Sequence, residues 1–260
     1  MFNNGYHPYH VLSSSPWPVL VSVSLFNLLV ELMSATLLHT TPCVSVLTTL
    51  MVVALWWRDQ IREFFLLGEN TLWVAKTLKA GMTLFLLSEA ALFGSFLWAW
   101  VGCLNTPEVW LGLAYPPMGI HSMSPGSVPL TNTLFLLSSG VTVTLSHLYL
   151  KKNSKSMALK WLFYTLFLGL AFLGLQLTEY YDSSFTMADG VYGSAFYALT
   201  GLHGLHVVVG VLFLGVNYLR LKTNQLTVGS HLSFELSIWY WHFVDVVWLI
   251  VYVMVYCTVL

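Results

Sequence analysis

Residues 232–259 read LSFELSIWYWHFVDVVWLIVYVMVYCTV, an almost uninterrupted apolar run without lysine or arginine. About 20 predominantly apolar residues are enough for an α-helix to cross the hydrocarbon core of a bilayer. A transmembrane β-strand would instead alternate polar and apolar side chains over about ten residues. The stretch therefore predicts a transmembrane helix, and similar runs recur along the chain.

The composition of the whole chain points the same way. Of its 260 residues, 57% are hydrophobic and 8% are charged, against about 25% charged residues in soluble domains. So few charges cannot cover the surface of a water-soluble domain of this size. The formal net charge of −1 excludes nucleic acid as a partner, because phosphate groups need a basic surface. We therefore expect an integral membrane protein with at most about eight spans.

Seven apolar segments lie between the charged residues, and each predicts a transmembrane helix. The second segment is short and should continue through residues 58–65 as an amphipathic end. The predicted fold is an all-α membrane protein with seven transmembrane helices. The segments are Trp17–Leu38, Val44–Trp57, Leu72–Cys103, Leu130–Leu150, Met157–Leu177, Val191–Leu219 and Leu232–Val259.

The ten lysine and arginine residues test this count. They fall around three connections only: between segments two and three, between four and five, and after segment six. The connection between five and six carries Glu179, Asp182 and Asp189 instead. With seven spans, the three basic connections lie on one side, which the positive-inside rule assigns to the cytoplasm or mitochondrial matrix. The N-terminus is then expected inside and the C-terminus outside. Met1–Ser15 lacks the basic residues of a cleavable targeting segment.

Glu89 lies well inside the third segment, where a charge would be costly. At 100° per residue, Phe85, Phe93, Phe96 and Trp100 fall within about 40° of it, so the carboxyl shares its face with an aromatic stripe. Burial favours the neutral acid unless another helix or subunit supplies a donor. Two interpretations stay open: a protonated acid hydrogen-bonded inside the bundle, and an acid tied to proton movement or to a lipid-facing cleft. Glu31, near the outer end of segment one, is interpreted as reaching water.

Segments six and seven carry the other polar groups. Glu235, His242 and Asp245 share an arc of about 80° on segment seven and must face protein. His203 and His206 lie on one face of segment six, opposite a seam of small residues that should permit close helix packing: Gly193, Gly201 and Gly204. We expect the histidines of segment six and the acids of segment seven to satisfy each other. A metal site is not favoured, because neither HExxH, ExxH nor a cysteine pair accompanies the histidines.

The inner end of segment two combines Trp56 and Trp57 with Arg58, Asp59, Arg62 and Glu63. Tryptophan is enriched at the headgroup level, and guanidinium groups bind phosphate bidentately. This pattern suits a phospholipid headgroup. The alternative is an ordinary interfacial anchor.

Several short strings are spread along the chain: SPWP at 15–18, WWRD at 56–59 with RE at 62–63, SE at 88–89, PPMGIH at 116–121, DGVYGS at 189–194, TGLHGLHV at 200–207 and WYWHFVDVVW at 239–248. Together these strings resemble subunit III of the haem-copper cytochrome c oxidases, in its mitochondrial form. The likeness runs from the N-terminus to the last helix.

The resemblance implies two helical bundles around a V-shaped cleft filled with phospholipid. The first comprises residues 1–66 with helices 1 and 2, and the second residues 67–260 with helices 3–7. Glu89 matches the intramembrane glutamate of the family, and Trp57, Arg62 and Glu63 match its lipid-contact region. Arg58 and Asn70 are added to that region as expected lipid ligands. The sequence departs from the family at Glu69 and Asn70, where relatives often carry a histidine pair.

The same resemblance implies an accessory role in the mitochondrial inner membrane, with the N-terminus in the matrix and the C-terminus in the intermembrane space. Haem a, haem a3 and copper are then expected in partner subunits, with no cofactor in this chain apart from bound phospholipids. Subunit I is the expected main contact, and subunit II and accessory subunits are further partners. His7 and His10, on the predicted inner side, can titrate near neutral pH and are candidates for collecting protons.

The alternative function is a stand-alone seven-helix carrier of protons or solutes. A retinal pump is not favoured, because it needs a lysine in the last helix and Glu235–Leu260 has none. A receptor is not favoured either, because it needs its N-terminus outside, opposite to the charge pattern.

Overall fold

The computed structural model describes residues 14–38, 41, 43–67, 71–105, 117, 120 and 123–258, and they form seven α-helices. A helix satisfies its own backbone hydrogen bonds, as the interior of a bilayer requires. No β-strand forms in the described part of the chain; Thr227 and Ser230 make one isolated bridge there. The helices are α1 Trp17–Leu38, α2 Cys43–Arg62, α3 Leu72–Asn105, α4 Val128–Lys151, α5 Lys155–Asp182, α6 Gly190–Lys222 and α7 Leu232–Val251.

Six of the seven helices in the described residues are long and apolar enough to cross a membrane. The exception is α2, whose last turns hold Arg58, Asp59 and Arg62. Beyond Arg62 the chain continues as a π-helical turn, Glu63–Leu67. The seven predicted segments are thus all helical, and the second has the polar end that its sequence predicts.

The last turn of α5 differs from the sequence prediction. The acids of the connection between segments five and six mark its end in the sequence, but α5 continues to Asp182. Glu179 is therefore a helical residue and is 1% exposed, not a loop residue. The helix extends because Gln176 and Glu179, three residues apart, lie on the same buried face as Phe172.

Two helices end in the same way at the basic connections. Asn153 follows α4 at φ 59° and Asn224 follows α6 at φ 61°, the left-handed conformation that asparagine adopts more readily than most residues. Lys155 ties the two turns together, because its Nζ donates to Lys222 O at 2.7 Å and to Asn224 Oδ1 at 2.5 Å. The basic connections after α4 and α6 therefore lie side by side.

The chain divides into two compact units, Met1–Ala80 and Gly81–Leu260. In the first, α1 and α2 form an antiparallel pair held by polar contacts along its length. Thr49 Oγ1 donates to Ser24 O at 3.2 Å near the middle. Glu31 Oε2 accepts from Ser45 Oγ at 2.6 Å, at the start of α2. The bundle boundary predicted between residues 66 and 67 stays a prediction.

The second unit is organised around α7. Trp241 fills a slot in which a Cβ on Gly210 would lie 2.7 Å from its Cε3, and one on Gly169 2.8 Å from its Cη2. Its indole Nε1 donates to Ser139 Oγ at 2.9 Å. The glycines of α5 and α6 thus make room for one buried ring, which also contacts α4. By contrast, Gly201 of the predicted small-residue seam has open space where its Cβ would be.

Candidate functional sites

Glu89 of α3 contacts His206 of α6. The distance from Glu89 Oε2 to His206 Nε2 is 2.9 Å, and the two side chains are 19% and 13% exposed. Another helix therefore supplies the hydrogen-bonding partner that α3 itself lacks. The partner differs from the expectation that the histidines of segment six meet the acids of segment seven.

The other nitrogen of His206 fixes its tautomer. Nδ1 lies 2.8 Å from the carbonyl oxygen of Leu202, and a carbonyl only accepts, so Nδ1 must carry a proton. Nε2 then either accepts from a protonated Glu89 or donates, as part of an imidazolium, to a Glu89 carboxylate. Both states place a single proton between Nε2 and Oε2. The pair is thus a two-position proton site between α3 and α6.

Aromatic side chains surround this pair. The Phe93 ring packs edge-on against His206 at a centroid distance of 4.9 Å. Tyr240 of α7 stacks on His206 at 6.3 Å and on Phe85 at 6.3 Å. Phe93 and Trp100 are buried, whereas Phe85 is 45% exposed. Of the predicted aromatic stripe, Phe93 therefore packs directly on the histidine that binds the acid.

His203 is completely buried. Among the described residues neither of its ring nitrogens has a hydrogen-bond partner. Its neighbours are aromatic: Phe93, Phe172 and Trp248, the last at a centroid distance of 5.0 Å. The predicted polar contact of His203 with an acid of segment seven is thus replaced by ring packing, because His203 faces the buried core of the bundle.

The polar residues of α7 have local partners. His242 Nδ1 lies 3.7 Å from Asp245 Oδ2 on the same helix. Gly140 of α4 makes room for this carboxyl, because a Cβ there would lie 2.6 Å from Asp245 Oδ2. Glu235 lies in the first turn of α7. The structure thus brings His242 and Asp245 together, but it does not bring either to His203 or His206.

Asp59 accepts several hydrogen bonds at the end of the α1–α2 pair where α1 begins and α2 ends. Trp17 Nε1 donates to its Oδ2 at 3.0 Å, and Arg58 Nε donates to its Oδ1 at 3.0 Å. Arg62 Nη1 is 3.8 Å from the same Oδ1, and its side chain is 61% exposed. Trp57 is exposed beside them. Asp59 therefore neutralises Arg58 more closely than Arg62.

Glu63, Asn70, His7 and His10 are the remaining predicted site residues. Glu63 begins the π-helical turn after α2 and accepts from Gln60 Nε2 at 3.4 Å. Asn70, His7 and His10 lie outside the described residues. Within the described ranges, no group of three or more histidine, cysteine, aspartate or glutamate side chains could hold a metal ion.

Sequence reasoning missed a buried polar cluster in the second unit. It joins Asn132 of α4, Gln176 and Glu179 of α5, and Tyr256 of the π-helical turn Tyr252–Cys257 that extends α7. All four are almost inaccessible. The signal in the sequence was the spacing of Gln176 and Glu179, three residues apart at the end of an apolar run, which puts both on one helix face.

Comparison with known proteins shows the family to which this seven-helix chain belongs. The family model described as cytochrome c oxidase subunit III matches residues 7–259. The chain belongs to the cytochrome c oxidase subunit III family. Among curated proteins named cytochrome c oxidase subunit 3, that of Patiria pectinifera is 45% identical over 254 residues, covering 95% of this chain and 96% of the relative. Those of Dugong dugon and Locusta migratoria are 43% and 42% identical, covering 96% and 98% of this chain and 97% of each relative.

Membership in the cytochrome c oxidase subunit III family makes the chain a multi-pass membrane subunit of respiratory complex IV. This confirms the resemblance seen in the sequence and the all-α membrane fold. The alternative of a stand-alone proton or solute carrier is not supported. The polar residues described above therefore belong to one subunit of a larger oxidase.

Proposed function

We propose that this chain is a cofactor-free accessory subunit of cytochrome c oxidase that binds phospholipid and supports proton uptake by its main partner, subunit I. Subunit II and accessory subunits complete its surroundings, and haem a, haem a3 and copper reside in partner subunits. Electron transfer from cytochrome c to oxygen then takes place outside this chain. The chain has no active site of its own in this proposal, and the enzymatic activity belongs to the assembled complex.

The proposed location is the mitochondrial inner membrane, with the N-terminus in the matrix and the C-terminus in the intermembrane space. The positive-inside rule supports this orientation, because lysine and arginine concentrate at three connections. The contact of Lys155 with Lys222 O and Asn224 gives further support, since it joins two of these basic connections.

The exposed guanidinium of Arg62 is the observation that carries the lipid proposal. Within the described part of the chain the Arg62 guanidinium has a loose ion pair, 3.8 Å from Asp59 Oδ1, and this carboxylate already accepts from Trp17 and Arg58. An exposed guanidinium at the end of a membrane helix, next to exposed Trp57, suits a phosphate group at the headgroup level. Arg58, Glu63 and Asn70 complete the proposed lipid contact, and the cleft between the two bundles stays a prediction.

Phospholipid analysis of the purified oxidase tests this role. We expect Arg62→Gln to lower the number of phospholipids retained per complex in native mass spectrometry. Arg62→Lys, which keeps the charge but not the bidentate geometry, should give an intermediate loss. The control is Lys160→Gln, which removes an exposed cation from α5. Equal lipid retention in all four proteins would contradict the proposal.

The support of proton uptake has a separate test. Because Glu89 and His206 hold one proton between two positions, the pair suits a role near a proton path. His7 and His10 are proposed to collect protons on the matrix side. Replacing both with glutamine should slow turnover of the oxidase more at high pH than at low pH, where protons are plentiful. An unchanged pH profile would eliminate this part of the proposal.

A purification experiment tests membership in the working complex. We expect the chain to co-purify with haem a and copper. An isolated chain that is stable and transports protons or solutes in vesicles would refute the accessory role.

A further inference from the structure

The buried polar cluster of Asn132, Gln176, Glu179 and Tyr256 is only partly hydrogen-bonded. Tyr256 O–H donates to Glu179 Oε1 at 2.5 Å. Asn132 Nδ2 donates to Gln176 Oε1 at 3.3 Å. Glu179 is 1% exposed and Asn132 is fully buried. Two hydrogen bonds thus join three helical segments at one buried point.

Three atoms of this cluster have no hydrogen-bond partner among the described residues. They are Asn132 Oδ1, Gln176 Nε2 and Glu179 Oε2. A buried polar atom left without a partner costs about 1–3 kcal/mol. Buried polar groups in folded proteins are therefore nearly always satisfied, by protein atoms or by ordered water. Three such atoms in one cluster require a common explanation.

The side chains that carry the three atoms are neighbours. Gln176 and Glu179 are one helical turn apart on α5, so their side chains are neighbours. The amide of Gln176 is near both the Glu179 carboxyl and the Tyr256 hydroxyl, but its Nε2 has the geometry of a hydrogen bond with neither. Its other atom, Oε1, is 3.3 Å from the Asn132 amide nitrogen. A single small ligand among these side chains would account for all three atoms at once.

The chemistry of the three atoms selects the ligand. Asn132 Oδ1 accepts, Gln176 Nε2 donates, and Glu179 Oε2 accepts or donates according to its proton. A water molecule donates two hydrogen bonds and accepts up to two, so it matches the set in either state of the carboxyl. A metal cation does not match, because the amide N–H of Gln176 would be directed at it. We propose that an ordered internal water molecule binds here and bridges α4 and α5.

Density of the intact oxidase at high resolution gives the direct test. We expect one water peak within hydrogen-bonding distance, about 2.7–3.2 Å, of Asn132 Oδ1, Gln176 Nε2 and Glu179 Oε2. The proposal would be overturned by absence of the peak, by a rotated amide that pairs the three atoms directly, or by an ion coordinated by oxygen atoms alone.

X-ray radiolysis in ¹⁸O-labelled water gives a second readout on the same complex. Hydroxyl radicals formed from an internal water modify the adjacent side chain even when it is buried. We expect Tyr256, 3% exposed, to incorporate ¹⁸O several-fold faster than Tyr192, 5% exposed and packed against Trp100 and Phe185. Similar slow labelling of both tyrosines would overturn the proposal.

A substitution tests whether the fast ¹⁸O labelling of Tyr256 depends on the proposed water. Asn132→Leu keeps a similar volume but removes the amide, so Tyr256 labelling should fall to the level of Tyr192. Tyr192 labelling should not change. If this variant does not assemble, the comparison of the two tyrosines in the unsubstituted oxidase still decides the matter. Undiminished labelling of Tyr256 in an assembled Asn132→Leu oxidase would count against the proposed site.

Discussion

His206 Nε2 and Glu89 Oε2 lie 2.9 Å apart and connect α6 to α3 within the second unit. Because His206 Nδ1 donates to Leu202 O, the bond to Glu89 exists only while one proton lies between the two side chains. Removing either residue leaves the other without that partner in a largely apolar site. The pair should therefore behave as a unit when it is mutated.

A double-mutant cycle measures this dependence. We expect Glu89→Leu and His206→Leu each to lower the free energy of unfolding by about 1–3 kcal/mol, because the remaining polar group loses its partner. The double variant should cost less than the sum of the two, with a coupling of about 0.5–3 kcal/mol. Denaturant titration of the subunit in the purified oxidase gives these values. Strictly additive effects would show that the two residues act independently.

The slot around Trp241 predicts opposite effects for two glycines of α6. In Gly210→Ala the new methyl group would lie 2.7 Å from Trp241 Cε3, and such overpacking costs about 1–3 kcal/mol of unfolding free energy. Gly215→Ala is the matched control, because open space surrounds its Cβ position. There the better helix propensity of alanine should leave stability unchanged or slightly raised. Thermal unfolding of both variants distinguishes the two positions, and equal destabilisation would argue against the slot.

The contact between Glu31 and Ser45 predicts a local effect at the start of α2. Glu31 Oε2 accepts from both Ser45 Oγ and Ser45 N, so Ser45→Ala removes one of two hydrogen bonds, worth about 1 kcal/mol. We expect faster amide hydrogen exchange over residues 43–48. Ser34→Ala is the control, because the Ser34 hydroxyl donates to Val30 O in its own helix. Unaltered exchange in Ser45→Ala would mean that the hydroxyl does not hold the two helices together.

Asp189 predicts a pH dependence in the connection between α5 and α6. Its Oδ2 accepts from Thr186 N at 2.7 Å and Thr186 Oγ1 at 2.9 Å, and these hydrogen bonds lower the pKa of the carboxyl below its usual range. A lowered pKa in the folded state stabilises the turn above the ordinary value of about 3.9. This stabilisation is lost as the pH falls through the lower, folded-state pKa.

Hydrogen exchange over residues 183–190, corrected for the intrinsic exchange rate, measures the effect. We expect protection of this segment to decrease between about pH 5 and pH 3. Asp189→Asn should be less protected at pH 5 and should show little further decrease. Asp182→Asn, at the end of α5, is the control and should keep the original profile. A pH profile that Asp189→Asn leaves intact would assign the effect to another group.

The helices could be predicted from the sequence because each needs only a long apolar run, and the charges mark where the runs end. The same reasoning failed at Glu179, since α5 continues past the first charge and buries it. The hydrogen-bond partners of polar residues were harder to predict from the sequence than the helix ends. His206 and Glu89 are 117 positions apart, and helix periodicity shows which face a residue occupies but not which helix it meets. Likewise, glycine spacing indicated Gly201, whereas the large ring of Trp241 selects Gly169 and Gly210.

The contacts of α7 and its π-helical extension bear on the order of biosynthesis. Trp248 donates to Thr133 of α4, Tyr256 to Glu179 of α5, and Tyr240 to His206 O of α6, while Trp100 of α3 donates to Met254 O. Of the described helices α7 is the last to leave the ribosome, and it completes contacts with each earlier helix of the second unit. Until then Glu179 lacks its hydrogen bond from Tyr256, and Trp100 lacks its acceptor on Met254. Quality-control proteases should accordingly degrade nascent chains truncated before Trp241 far faster than full-length ones.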